Sequence, residues 1–128
     1  MPVEAIAEDL LGLRVERVAM ECSGMLLPAE RRILVNAHEY EPRQRFTIAH
    51  EIGHWTCQCL EGTAEPVYCR ADEVDESARL LEREANVFAA ELLMPEEAVR
   101  AGDGNRFGVS DLAYRWRLYS FGLGEAPA

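Results

Sequence analysis

No stretch of this sequence approaches the roughly 20 consecutive apolar residues that a membrane-spanning helix needs, so no membrane association through a helix is expected. The first residues, Met1-Pro2-Val3-Glu4-Ala5-Ile6, lack the basic start and unbroken apolar run of a secretory signal. Repeats, linkers and low-complexity tracts are also missing. We therefore expect a single domain over 1–128, with no room for a regulatory domain of ordinary size. Positive charge is scarce: 13 Lys and Arg stand against 23 Asp and Glu, a formal net charge of −10. A chain this acidic gains little from phosphate backbones and is repelled by anionic lipid, which argues against direct nucleic-acid binding. With no export signal the expected location is cytoplasmic, where Cys22, Cys57, Cys59 and Cys69 stay reduced.

What is present is an ordinary globular composition, 48% apolar, with readable periodicity. Val3, Ile6, Ala7 and Leu10 recur at helical spacing, with Gly12 beyond them. Residues 14–20, 23–27 and 33–36 read as short strands, with a turn at Pro28-Ala29-Glu30. A second helix is expected from near Pro42 to about Leu60, with Gly62 past its end. Ile48, Ile52, Trp55 and Cys59 form its apolar stripe. Residues 63–74 read as a loop, and a third helix spans about 76–93, stopped by Pro95. Two short helices follow near 95–101 and 109–120, the second capped by Ser110.

Histidine is rare here, yet two of the three stand four residues apart in His50-Glu51-Ile52-Gly53-His54. A helix turns about 100° per residue, so both imidazoles lie on one face, one turn apart, where they can bind one metal ion. Glu51 is offset by one position, which aims its carboxylate at a metal-bound water rather than at the metal. Neutral imidazoles suit Zn2+, and a catalytic zinc needs a third protein ligand and an open position. Gly53 costs about 1 kcal/mol against alanine inside a helix, which suggests close approach by backbone, by substrate or by ordinary packing.

The third ligand is sought on the third helix. With Leu81 at 0° on the helical wheel, Phe88, Leu92, Ala85, Ala78, Ala89 and Leu93 fill an apolar arc from about −20° to about 120°. Glu82 falls inside that arc, at about 100°, whereas Glu84 falls outside it, at about −60°. A carboxylate on an apolar face needs a cation or an ion pair. Zinc is one partner for Glu82, and a salt bridge at the edge of the core is the other. Asn86, one turn further on, is placed to orient a ligand histidine.

The run Arg45-Phe46-Thr47-Ile48-Ala49-His50-Glu51-Ile52-Gly53-His54-Trp55 and the run from Glu82 to Pro95 together resemble the ImmA/IrrE family of zinc metallopeptidases. They cover about a fifth of the chain. The Ile33-Leu34-Val35-Asn36 strand and Phe107-Gly108-Val109-Ser110 also fit. The resemblance implies an α+β, zincin-like fold of the gluzincin kind. In it a small antiparallel or mixed sheet packs on the HExxH helix and on a glutamate-bearing helix, with short C-terminal helices. It implies zinc held by His50, His54 and Glu82, with Glu51 catalytic. Glu82 with Asn86 matches the family's Glu-x-x-x-Asn/Asp pattern. It implies cytoplasmic, site-specific cleavage of a helix-turn-helix repressor in stress response or mobile-element control. Members often carry a further DNA-binding-like or sensory domain, for which these 128 residues leave no space.

Other features have plainer readings. His38, Tyr40 and Tyr68 are candidates for a second electrophile, and nothing in the sequence selects one. Cys57 and Cys59 point about 200° apart on a helix and cannot share an ion, so at least one reads as a small buried hydrophobe. Pairing of either with Cys69 is the oxidised alternative. We expect the terminal helix to dock Leu112, Trp116 and Tyr119 on the core, with Arg106, Arg115 and Arg117 giving local positive charge for a protein partner. The alternative functions are a non-cleaving module that sequesters a transcriptional regulator and a DNA-associated regulator built on that helix.

Overall fold

The structure is a computed structural model that describes residues 2–58, 67–68, 76–102 and 104–127. Helix α1 (Val3–Ala5) runs directly into a π-helical stretch, Ile6–Leu10, and buries Val3 and Ala7. Gly12 follows with φ +68, a left-handed conformation that ends helices and favours glycine.

Strands β1 (Arg14–Val18), β2 (Gly24–Leu27), β3 (Arg32–Asn36) and β4 (Val67–Tyr68) form one mixed sheet in the order β1-β3-β2-β4. β1 is parallel to β3, with Val15 opposite Ile33, while β2 is antiparallel to both β3 and β4. A 3-10 turn, Pro28–Glu30, and Arg31 in the left-handed region (φ 53) connect β2 to β3. β4 corrects the expectation of an unbroken loop over 63–74. It is held by backbone pairing to β2 and is too short for alternation to reveal it. On β3, Ile33 and Val35 are fully buried, and Leu26 of β2 joins them.

Helix α2 (Glu41–Gln58) packs on β2 and β3 and also on α3 (Glu76–Leu93). Ile48, Ala49 and Ile52 are buried and Trp55 half-buried, but Cys59, Leu60 and Gly62 lie outside the described residues. On α3 the buried positions are Ala85, Ala89 and Leu93. Leu81, expected on the apolar arc, is 46% exposed, so the arc facing α2 is centred nearer Ala89. At the crossing itself the two helices come close together. A Cβ on Gly53 would lie 3.1 Å from both Cα and O of Ala85 and 3.2 Å from Cβ of Phe88. The glycine in the motif therefore serves close backbone approach.

After α4 (Glu96–Arg100), the chain passes through a loop fastened to α2 by Arg45, which donates to the carbonyls of Gly108 (3.2 Å) and Phe107 (3.1 Å). Helix α5 (Asp111–Ser120) is capped by Ser110, whose hydroxyl accepts from the Ala113 amide at 3.0 Å. Leu112, Trp116 and Tyr119 do not dock on the core, being 53%, 47% and 49% exposed. The stripe that docks is Ala113, Tyr114, Leu118 and Phe121. Arg117 reinforces it by donating to the Met94 carbonyl at 3.0 Å and lying 4.3 Å from the centre of the Phe121 ring. Among the described residues, no helix is long and apolar enough to cross a membrane.

Replacing Gly53 with alanine tests this packing. Alanine is the better helix former by about 1 kcal/mol, but overpacking against a backbone costs about 1–3 kcal/mol. Gly53→Ala is expected to lower the melting temperature by several degrees in thermal unfolding, with a matching loss of metal affinity.

Candidate metal centre

The α2–α3 crossing brings together side chains that are 28 to 36 positions apart in sequence. His50 and His54 project from one face of α2, with ring centroids 4.7 Å apart and planes at 84°. Glu82 reaches over from α3. Its carboxylate oxygens lie 2.9 Å from His50 Nε2 and 3.1 Å from His54 Nε2, and the two Nε2 atoms are 3.1 Å apart. One donor atom from each residue falls within 4.8 Å of the others. Two donors held about 2 Å from one tetrahedral ion are roughly 3.3 Å apart, so the spacing needs little change to admit zinc.

The protonation pattern makes the convergence point electron-rich. Asn86 Oδ1 lies 2.8 Å from His50 Nδ1. The amide oxygen accepts from Nδ1, which leaves Nε2 as the ring nitrogen that faces Glu82 and would ligate a cation. For Glu82, burial raises the carboxyl's proton affinity, but hydrogen bonds from His50 and His54 outweigh it and bring the pKa down to about 2. Two ring nitrogens and a carboxylate thus converge on one buried point, where a cation can replace the hydrogen bonds between them. His50 and His54 are 2% and 1% exposed.

Glu51 stands beside this set without joining it. It is fully buried, and neither carboxylate oxygen has a hydrogen-bond partner among the described residues. Burial, moderated by nearby His54 and reinforced by Glu82, pushes its pKa up to about 8. Space for the carboxylate comes from Gly24 at the start of β2. A Cβ there would lie 3.4 Å from Glu51 Oε2, 2.9 Å from the Leu34 carbonyl and only 2.3 Å from Thr47 Cγ2. Gly24 and Thr47 have no place in the reading of the sequence. The available signal is a glycine inside a strand, which often marks close approach.

Of the second-electrophile candidates, His38 is exposed and Tyr40 is 61% exposed, lining a shallow depression with Pro42 and Val109. The Tyr68 side chain lies outside the described residues, as do Cys59 and Cys69. Cys57 is exposed.

Two measurements probe the centre. The folded, metal-free chain keeps Glu51 protonated up to about pH 8, whereas the unfolded chain ionises it near the ordinary carboxyl value of 4.5. This contribution is complete below about pH 4.5 and is lost as pH rises through 8. Chelator-treated protein should therefore melt progressively lower from pH 5 to pH 8.5, and Glu51→Gln should flatten that slope. Asn86→Ala removes the partner of His50 at an exposed position. It should weaken metal binding by about 10–100-fold in competition with a chromogenic chelator while leaving the fold intact.

Comparison with known proteins supplies the context for this geometry. The radiation response metalloprotease IrrE of Deinococcus radiodurans is 36% identical over 76 residues, 59% of this chain and 23% of that protein. The protein of the same description from Deinococcus deserti is 39% identical over 74 residues, 56% of this chain and 25% of its own length. The chain thus spans about a quarter of the length of these relatives. The family model of the IrrE N-terminal-like domain, peptidase family M78, matches residues 3–119, nearly the whole sequence, and this chain belongs to that metallopeptidase family.

Proposed function

We propose that this protein is a zinc-dependent endopeptidase of the ImmA/IrrE type that acts in the cytoplasm on a helix-turn-helix transcriptional repressor. The observation that carries the reading is Glu51, a buried carboxylate without a hydrogen-bond partner among the described residues, beside three converging donors. A site built only to bind metal or to grip a partner has no use for it, and burying it is costly. The net charge of −10 fits a protein partner better than DNA. The repressor and the stress or mobile-element setting follow from the family resemblance. The names of the two relatives, radiation response metalloproteases, agree with a stress setting.

His50, His54 and Glu82 would hold the ion, with Asn86 keeping the proton of His50 on Nδ1 and its Nε2 free to ligate. The chemistry that bound zinc supplies is Lewis acidity, which acidifies water and polarises a carbonyl oxygen. Glu51 accepts the proton of the attacking water as the new carbon–oxygen bond forms, then delivers it to the amine as the carbon–nitrogen bond breaks. In the metal-free chain burial favours the protonated carboxyl, and a divalent cation beside it would favour the carboxylate that this role needs. The lack of a side chain at Gly24 leaves room for the Glu51 carboxylate.

Glu51→Gln should abolish cleavage, a loss of at least about 10²–10⁴-fold, while elemental analysis still finds one zinc per chain. His54→Ala and Glu82→Ala should lose the metal itself. A repressor encoded nearby that stays intact but bound to the zinc-loaded wild type would replace cleavage with sequestration.

A further inference from the structure

Two depressions adjoin on the face shared by α2, α3 and α5. The larger, about 350 Å3, lies between α3 and α5, and the smaller, about 120 Å3, lies at the start of α2. Phe46 and Ala113 line both, so the two form one groove. Its α3 side is Arg83, Asn86, Val87, Ala90 and Met94, spaced i, i+3, i+4, i+7 and i+11, a single helical stripe. Its α5 side is Ala113, Trp116, Arg117 and Ser120, spaced i, i+3, i+4 and i+7, with Val109 one turn earlier. From Ser110 to Ser120 this side runs about 15 Å. The groove leaves apolar surface uncovered, with Tyr40 61%, Val87 50% and Trp116 47% exposed. Among the described residues, the charged side chains that line it are all arginines, Arg43, Arg83 and Arg117, in a chain where acidic residues outnumber basic ones 23 to 13.

We propose that this groove docks an acidic amphipathic helix of a protein partner, away from the metal centre. The inference needs neither a bound metal nor Glu51, so it stands apart from the peptidase reading. Two facing helical stripes leave a trough that a third helix fills by laying its apolar face along it. The larger depression takes a bulky apolar anchor and the smaller one a second, lesser anchor. Charge then selects the partner, because arginine stands at both ends, Arg43 at one and Arg83 and Arg117 at the other. Arg43 also lies 3.8 Å from Glu39, an exposed pair that holds it only weakly. Arg117 is fixed through Nε to the Met94 carbonyl and against the Phe121 ring, so little of its freedom is lost when a carboxylate arrives. The Trp116 ring is braced edge-on against Tyr119, with centroids 5.7 Å apart. Tryptophan and arginine are the side chains that most often carry the energy of a protein interface, and here they share one wall. The chain's net charge of −10 repels an acidic segment elsewhere, so the groove also decides where the segment lands.

The test is selection on the full chain from a displayed library of random peptides about 15 residues long, enough for an isolated helix to begin to form. The selected peptides are then titrated by fluorescence polarisation. The groove variants are Val87→Asp and Arg83→Glu, both at exposed positions, and either one decides if the other fails to fold. Leu112→Asp, at an exposed position of α5 outside the groove, is the control. The selected peptides are expected to carry apolar residues at helical spacing together with several Asp or Glu. Their affinity should fall as salt rises, and should drop roughly tenfold or more on each groove variant but not on Leu112→Asp. Zinc content and melting temperature should stay at the wild-type values in all three variants, which separates docking from the metal centre. Selected peptides that are neutral or basic, that lack helical spacing, that weaken equally on Leu112→Asp or that bind both groove variants unchanged overturn the proposal, as does a selection that yields no binder. Sedimentation of the wild type as a dimer that Val87→Asp splits into monomers overturns it in favour of a second copy of this chain. Failure of the peptidase reading would appear instead as absence of cleavage, with docking of the acidic peptides kept.

Discussion

Gly53 lies against the backbone of Ala85 at the crossing of α2 and α3, and the separation set there governs how far Glu82 must reach to His50 and His54. Glu82 is three residues before Ala85, and His54 immediately follows Gly53. Contact between the two helices at one pair of small residues thus brings the histidine face and the glutamate together one turn away. A side chain at position 53 would push the axes apart where the three donors meet within 4.8 Å. The helix-propensity cost of glycine, about 1 kcal/mol, is therefore the cost of the close approach that assembles the centre.

Around that crossing an apolar core encloses a polar site. Ile48, Ile52, Ala89 and Leu93 exclude water from the same volume in which His50, His54 and Glu51 are almost wholly buried. Exclusion strengthens every electrostatic interaction inside, and it makes an unpaired carboxylate unfavourable. The two glutamates respond in opposite directions. Glu82 has two imidazoles hydrogen-bonded to it to compensate its burial and ionises readily, whereas for Glu51 burial outweighs the charge of nearby His54 and favours the protonated carboxyl in the metal-free chain. One carboxylate suited to ligation and one suited to proton transfer thus arise from a single helix pair, by difference of surroundings alone.

The peripheral elements complete the cleft. Arg45 ties the loop before α5 to the helix that carries the histidines, and Ser110 fixes where α5 begins. Arg117 then locks α5 to the end of α3 through the Met94 carbonyl. With α5 anchored in this way, Trp116 is left half-exposed at a cavity that Asn86 also lines.

Much of this was legible in the residues themselves. The spacing of His50 and His54, the turns of α2 and α3, the Ser110 cap and the place of Glu82 on an apolar arc are consequences of helical periodicity, a local property. The sequence alone therefore determined which side chains share a face. It left open how near two faces come and which of two adjacent stripes turns inward. Leu81 belongs to the arc by angle yet is exposed, one turn before the crossing at Ala85. On α5, Leu112-Trp116-Tyr119 and Ala113-Tyr114-Leu118 are both apolar stripes, and contacts with Met94 and Phe107 accompany the second. β4 and the room Gly24 leaves for Glu51 likewise exist only through partners distant in sequence. Periodicity fixes directions about a helix axis, whereas distances between axes come from the packing of all side chains at once, and only the tertiary structure decides them.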